Sequence, residues 1–298
     1  MQPTATKTHF NGHSMVAALE RVMVCSPHTA GWDQSEQVER WRELGFQNAP
    51  NFDEAQSQHE ILGRELKAAG VEVIEIPPSE DLTLDAVYTH DASFMTDYGL
   101  IVMRAGKANR VAEGPIHATF CTGLEIPIFG EIESPGTTEA GDMVWLDATT
   151  LLIGRGYRTN EAGIEQMRRL LAPKGINVLA APLPYGLGPA ACLHLMSLMS
   201  LLDDRTALVD LSWLSVETVE LLKSRAFRFI EIDLSERETL ACNVLALGGN
   251  RLLAIEENRK TNARLRHAGF DVRTFPGSQL CVNGGGGPTC LTRPLLRG

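Results

Sequence analysis

The stretch DMVWLDATTLLIGRGYRTNEAGIEQMRRLLAPKGINVLAAP, residues 142–182, reads as one complete structural unit. From Met143 to Arg155, two apolar runs are broken at Asp147–Thr149, the pattern of an antiparallel hairpin. Thr159-Asn160 then offers side-chain oxygens to cap a helix. Ile164, Met167, Leu170 and Leu171 follow at helical spacing and predict a helix over 160–171. Gly175 stands where glycine stops a helix, just past the last turn. INVLAAP, from Ile176, reads as a strand.

The unit recurs in both directions. Strand-like runs begin at Val71, Gly123, Ile176, Phe227 and Phe270, at intervals of 52, 53, 51 and 43 residues. Four of the five follow a helix-like segment: ELKAAG, RRLLAPKG, LLKSRA and RLRHAG. Further helices are predicted over 53–69, 215–226 and 256–268. Further hairpins are predicted with turns at Asp97–Gly99, Asp203–Arg205 and Gly248–Asn250. A period near 50 residues implies repeated supersecondary units. The expected fold is α/β, with five strand-hairpin-helix units in a ring. The early strand RVMVCSPH, from Arg21, pairs with the last unit and closes the ring, which removes exposed sheet edges. No Ser/Gly- or Pro-rich linker interrupts residues 1–298, so a single domain is expected.

A second series rides on the first. Asp91, Asp142, His194, Asn243 and Cys290 lie 51, 52, 49 and 47 residues apart, each near the start of an apolar run or inside a glycine run. In a ring, equivalent positions converge on the axis. Two carboxylates, an imidazole, an amide and a thiol would share one pocket, which suits a cysteine nucleophile with an acid/base and a cation anchor.

Composition narrows the function. The net charge is −10 and no basic cluster stands out, against the concentrated Lys/Arg that a nucleic-acid partner needs. No run nears the roughly 20 apolar residues that span a bilayer, and Met1–Val16 lacks the apolar core of a secretory signal. A cytoplasmic protein with no membrane partner is expected. In that compartment Cys25, Cys121, Cys192, Cys242, Cys281 and Cys290 are expected reduced, and no C-x-x-C pair suggests a structural metal. A homodimer is an option the sequence leaves open.

In VNGGGGPTC the glycines at 284–287 read as a tight loop presenting the Cys290 thiol. Glu139 and Asp142 flank Gly141, and Asp91 follows His90. Such carboxylates, gathered together, would suit a guanidinium. Arg104 and Arg158 end successive hairpins and read as a clamp for a substrate carboxylate. Residues 28–37 read as a lid.

These motifs, HDASF at 90–94, EAGD at 139–142, GRGYRTN at 154–160, LHLMS at 193–197 and GGGGPTCLTRPL at 284–295, resemble the guanidine-modifying (pentein) superfamily. Its members include arginine deiminases, amidinotransferases and dimethylarginine dimethylaminohydrolases. The resemblance runs from about Arg21 to the C-terminus and implies a five-bladed α/β-propeller. It implies Cys290 as nucleophile, His194 as acid/base and Glu139 as its orienting acid. Asp91 would bind the guanidinium, with Asp142 in support, and Arg104 and Arg158 would hold the amino-acid end. No organic cofactor and no obligatory metal are implied. Deiminases of plain arginine carry His-x-Asp, whereas this chain has Met196 in that place. An apolar residue there leaves room for N-methyl groups. The expected reaction is hydrolysis of methylated arginine to citrulline and an amine. Related guanidino or ureido chemistry, or a non-catalytic arginine-analogue sensor, are the alternatives.

Overall fold

The computed structural model describes residues 9–186, 188–189, 191 and 193–298, so Cys192 lies outside the described residues. Five sheets of three strands surround an axis. The first four, in chain order, are β3 (Ser93–Thr96), β4 (Gly99–Val102) and β5 (Ile128–Glu131); β6 (Met143–Asp147), β7 (Thr150–Arg155) and β8 (Asn177–Pro182); β9 (Met199–Asp203), β10 (Thr206–Val209) and β11 (Arg228–Glu231); and β12 (Leu245–Gly248), β13 (Arg251–Ile255) and β14 (Asp271–Phe275). The fifth joins the two ends of the chain: β15 (Arg293–Arg297) lies antiparallel to β1 (Leu19–Val24), which is parallel to β2 (Glu72–Glu75). Val22 pairs with Pro294 on one side and Val73 on the other. The ring is thus closed as expected, and the architecture is a five-bladed α/β-propeller.

Each blade follows one rule. A hairpin supplies two antiparallel strands, and a helix carries the chain back to a third strand parallel to the second, because a parallel pair cannot be joined by a tight turn. After the short α1 (Ser35–Val38), the crossover helices are α2 (Phe52–Ala68), α3 (Glu113–Gly123), α4 (Glu161–Leu171), α5 (Val216–Ser224) and α6 (Arg259–His267). Asn160 caps α4 by accepting the Gly163 N–H at 2.8 Å, and Ser215 caps α5 through the Thr218 N–H. Ile164, Met167 and Leu171 bury one face of α4 against its sheet. The hairpin strands are almost wholly buried, whereas the third strands β2, β5 and β11 are exposed at their ends. The apolar core therefore fills the space between neighbouring blades and beneath the helices.

Every crossover helix ends in the same left-handed step: Gly70, Glu125, Gly175, Ala226 and Gly269 have φ between 61° and 97°. Three are glycine, which the conformation favours, and two bear side chains at a steric cost. Helix α3 was not foreseen. Its buried face is Glu113, Gly114, His117 and Cys121, so it shows no apolar stripe in sequence. Among the described residues no helix is long and apolar enough to cross a membrane, and no disulfide forms.

Candidate active site

The five spaced residues all stand just before the first strand of a blade, at one end of the ring. Asp91 precedes β3, Asp142 β6, His194 β9, Asn243 β12 and Cys290 β15. Asp91, His194 and Cys290 line one cavity together with Arg158, Arg110, Lys107 and the turn Gly284–Gly286. The glycine run is dictated by closeness. A Cβ on Gly286 would meet the Tyr88 ring at 2.4 Å, and one on Gly287 would meet Asn243 at 2.7 Å.

His194 Nε2 and Glu139 Oε2 are 2.8 Å apart, and both side chains are buried. Arg158 Nη1 approaches the same carboxylate at 3.3 Å. Burial works against charge on Glu139, but the bond and charge of His194, with the Arg158 guanidinium, outweigh it and hold the carboxyl below its ordinary range. Asp91 is treated alike. Burial would raise it, yet His194 and Arg110, the latter at 2.6 Å from Oδ2, keep it well below the usual carboxylate range. Its Oδ1 accepts the Gly141 N–H at 3.0 Å. Each Asp91 oxygen keeps a second lone pair, so an incoming cation can still be bound. Asp91, Glu139 and His194 present donor atoms within 4.8 Å of one another, so a small cation could also sit there. The chain shows one further contact on the thiol: Asn243 Nδ2 donates to Cys290 Sγ at 3.0 Å, and its Oδ1 accepts the Thr289 N–H. An N–H aimed at sulfur stabilises the thiolate, the reactive form.

Several expectations are corrected. Asp142 does not line the cavity. It is wholly buried, and its Oδ1 accepts the Leu195 N–H at 2.9 Å, so it braces the backbone beside His194 instead of meeting a ligand. Burial pushes its carboxyl up to about 6. Arg104 sits just past β4, half-buried and outside the cavity lining, with its carbonyl bound to the Thr138 N–H. The arginine in its place is Arg110, which also grips Glu113 and the Tyr88 carbonyl. Met196 faces a second, axial cavity and does not line the thiol cavity, so it provides no room for methyl groups beside the sulfur. The segment 28–37 is anchored, with Trp32 buried and its Nε1 donating to the Leu84 carbonyl at 2.9 Å. Leu44 and Gly45 form the cavity rim instead, held by the Lys107 ammonium, which bonds both the Leu44 carbonyl and Asp85. Arg110, Lys107 and Asp85 carried no signal in the spacing, although Asn243 stood in the periodic series.

A five-bladed α/β ring with a thiol, an imidazole and buried carboxylates at one end defines the guanidine-modifying class. The N-terminal domain of an arginine dihydrolase from cyanobacteria superposes with a TM-score of 0.77, at 20% identity, over 93% of this chain and 97% of that one. A Pseudomonas aeruginosa dimethylarginine dimethylaminohydrolase complexed with citrulline gives 0.73, at 24% identity, over 94% of this chain and all of that one. These likenesses establish the fold. In sequence, the family model described as N,N dimethylarginine dimethylhydrolase, eukaryotic, matches residues 34–297. A Streptomyces coelicolor N(G),N(G)-dimethylarginine dimethylaminohydrolase is 30% identical over 234 residues, 76% of this chain and 80% of its own. The chain belongs to the N,N-dimethylarginine dimethylhydrolase family.

Proposed function

We propose that the protein hydrolyses N-omega-methylated arginine to citrulline and dimethylamine or methylamine, with the propeller acting as one domain. The observation that carries this reading is His194, backed by the buried Glu139, lining the same cavity as Asp91 and Cys290. A guanidinium entering there meets the Asp91 carboxylate, held charged, with the charged Glu139 buried behind His194. Arg158 and Arg110 supply positive charge for the carboxylate end of the substrate, and the Leu44–Gly45 rim closes over it.

The Cys290 thiolate attacks the guanidinium carbon, forming a C–S bond as the C=N π pair moves onto nitrogen, and the tetrahedral adduct is neutral. His194 delivers a proton to the methylated nitrogen as the C–N bond breaks, and the amine leaves. His194 then takes a proton from water, which attacks the same carbon. The C–S bond breaks as the adduct's hydroxyl forms C=O and gives its proton to solvent, returning the thiolate and leaving the ureido group of citrulline. Asn243 stabilises the sulfur anion at both ends of the cycle. Asp142 acts only through the backbone at Leu195, which fixes the approach to His194.

The test is product analysis after incubation with asymmetric dimethylarginine, arginine and citrulline in parallel, beside Cys290→Ser. The expected result is citrulline and dimethylamine from the first substrate alone, lost in the variant. Turnover of plain arginine would assign the site to deimination. Binding without turnover, unchanged in Cys290→Ser, would make the protein a sensor.

A further inference from the structure

Beneath the layer that holds Asp91 and Cys290, the ring axis encloses a second cavity of about 40 Å³. Asn11, Gly12, Ser14, Met15, His90, Thr289 and strands β3, β6, β9, β12 and β15 wall it. Its charge is one-sided. Arg293 and Arg297 of β15 both line it, 3% and 5% exposed, and no Asp or Glu is among the described residues that do. Arg293 Nη2 donates to the His90 carbonyl at 2.6 Å, but its buried Nε finds no acceptor among the described residues. Arg297 Nη1 donates to the carbonyls of Ala17 and Ala246 at 2.7 and 2.9 Å. Neither arginine has an acid within ion-pair distance among the described residues. Asp91, whose charge acts on Arg293, is already bound to Arg110. Thr289 Oγ1 and His90 Nε2 are two more buried polar atoms with no partner among the described residues.

Two buried guanidinium groups with no ion-pair partner among the described residues are strongly disfavoured, and burial pushes both down to about 9. A bound negative ion removes that cost and gives the stranded donors a partner. We propose that the axial cavity is a binding site for a small inorganic anion of halide size, held by Arg293, Arg297 and the Thr289 hydroxyl. One water needs roughly 10–15 Å³ of such space, so the cavity has room for a halide with a water or two. His90 Nδ1 faces the Thr292 carbonyl at 2.9 Å and must carry the proton, so Nε2 shows a lone pair. A water belongs between that nitrogen and the anion. The site touches no group assigned a chemical role above, yet Thr289 and His90 adjoin Cys290 and Asp91 in sequence.

The experiment is thermal unfolding of the full chain at constant ionic strength, as sodium gluconate is replaced by sodium chloride or bromide. The midpoint is expected to rise by several degrees and to saturate. Arg297→Gln should lose this response. In gluconate it should unfold no lower than the parent protein, because one uncompensated charge is gone. Arg225→Gln, at a half-buried arginine paired with Asp147 and remote from this cavity's lining, should keep the response and excludes a general salt effect. A crystal grown in bromide should show anomalous density within hydrogen-bond distance of Arg293 Nε. Equal midpoints in gluconate and chloride, or bromide crystals with only water in the cavity, would overturn the proposal. If Arg297→Gln fails to fold, the bromide crystal of the parent protein decides alone.

Discussion

Gly141→Ala places a methyl group where the structure has none to spare. A Cβ at this position would lie 2.6 Å from His194 Nδ1 and 2.8 Å from Asp91 Oδ1. Ordinary contacts begin near about 3.5 Å, so the imidazole must retreat by most of an ångström. It cannot do so quietly. Its far nitrogen is bonded to Glu139 at 2.8 Å, and Asp91 is pinned by Arg110 and by the Gly141 N–H itself. Overpacking of this kind costs about 1–3 kcal/mol of stability. Misplacing a reacting group by about 1 Å costs on the order of 10²-fold in rate. The expected variant is therefore folded, modestly less stable, and at least about a hundredfold down in kcat. Steady-state kinetics with the dimethylated substrate, beside a thermal melt, make the check. Gly63→Ala is the control: nothing lies within 4 Å of its Cβ, and a helical site should gain about 0.4–1 kcal/mol. A Gly141→Ala enzyme with kcat within twofold of the parent would refute the assignment of His194 as the proton carrier.

Asp142 gives a pH signature. Its folded-state value of about 6 lies above the ordinary 3.8, so the folded protein holds the proton more tightly and stability falls as pH rises from about 4 to 6. That interval, at about 1.4 kcal/mol per tenfold, amounts to about 3 kcal/mol. Asp142→Asn should be more stable than the parent at pH 7 by up to that amount, with the gap closing toward pH 4; urea unfolding that shows a pH-independent gap would contradict it. Asn243→Ala removes the N–H on Cys290 Sγ and should slow alkylation of that thiol by iodoacetamide several-fold at neutral pH, with an unchanged rate sinking the thiolate-stabilising role. Ala226→Gly relieves a left-handed residue with φ of 61° and should gain about 1 kcal/mol, read as a higher unfolding midpoint.

The sequence by itself determined the repeat. Hairpin, capped helix, left-handed stop and third strand recur because each step is local: turn residues at Asp147–Thr149, the Asn160 cap, and the glycines at 70, 175 and 269. Closure by β1 and β15 follows from the same count, since the fifth hairpin is the only one interrupted by the chain ends. The period also brought Asp91, His194, Asn243 and Cys290 to one end of the ring. Spacing places a Cα, however, and does not aim a side chain. Each periodic residue lies in an irregular turn ahead of its strand, where the local dihedrals decide direction. So Asp142 turned inward to the Leu195 N–H and Met196 to the axis, while Asp91 and His194 turned to the cavity. Helix α3 escaped notice because its buried face is polar, and with it went Arg110, whose partners Asp91 and Tyr88 are distant in sequence. The Lys107 tie to Leu44 and Asp85 and the uncompensated Arg293 and Arg297 are likewise properties of packing. Long-range charge pairing, or its lack, is set by which blades meet, and only the closed ring decides that.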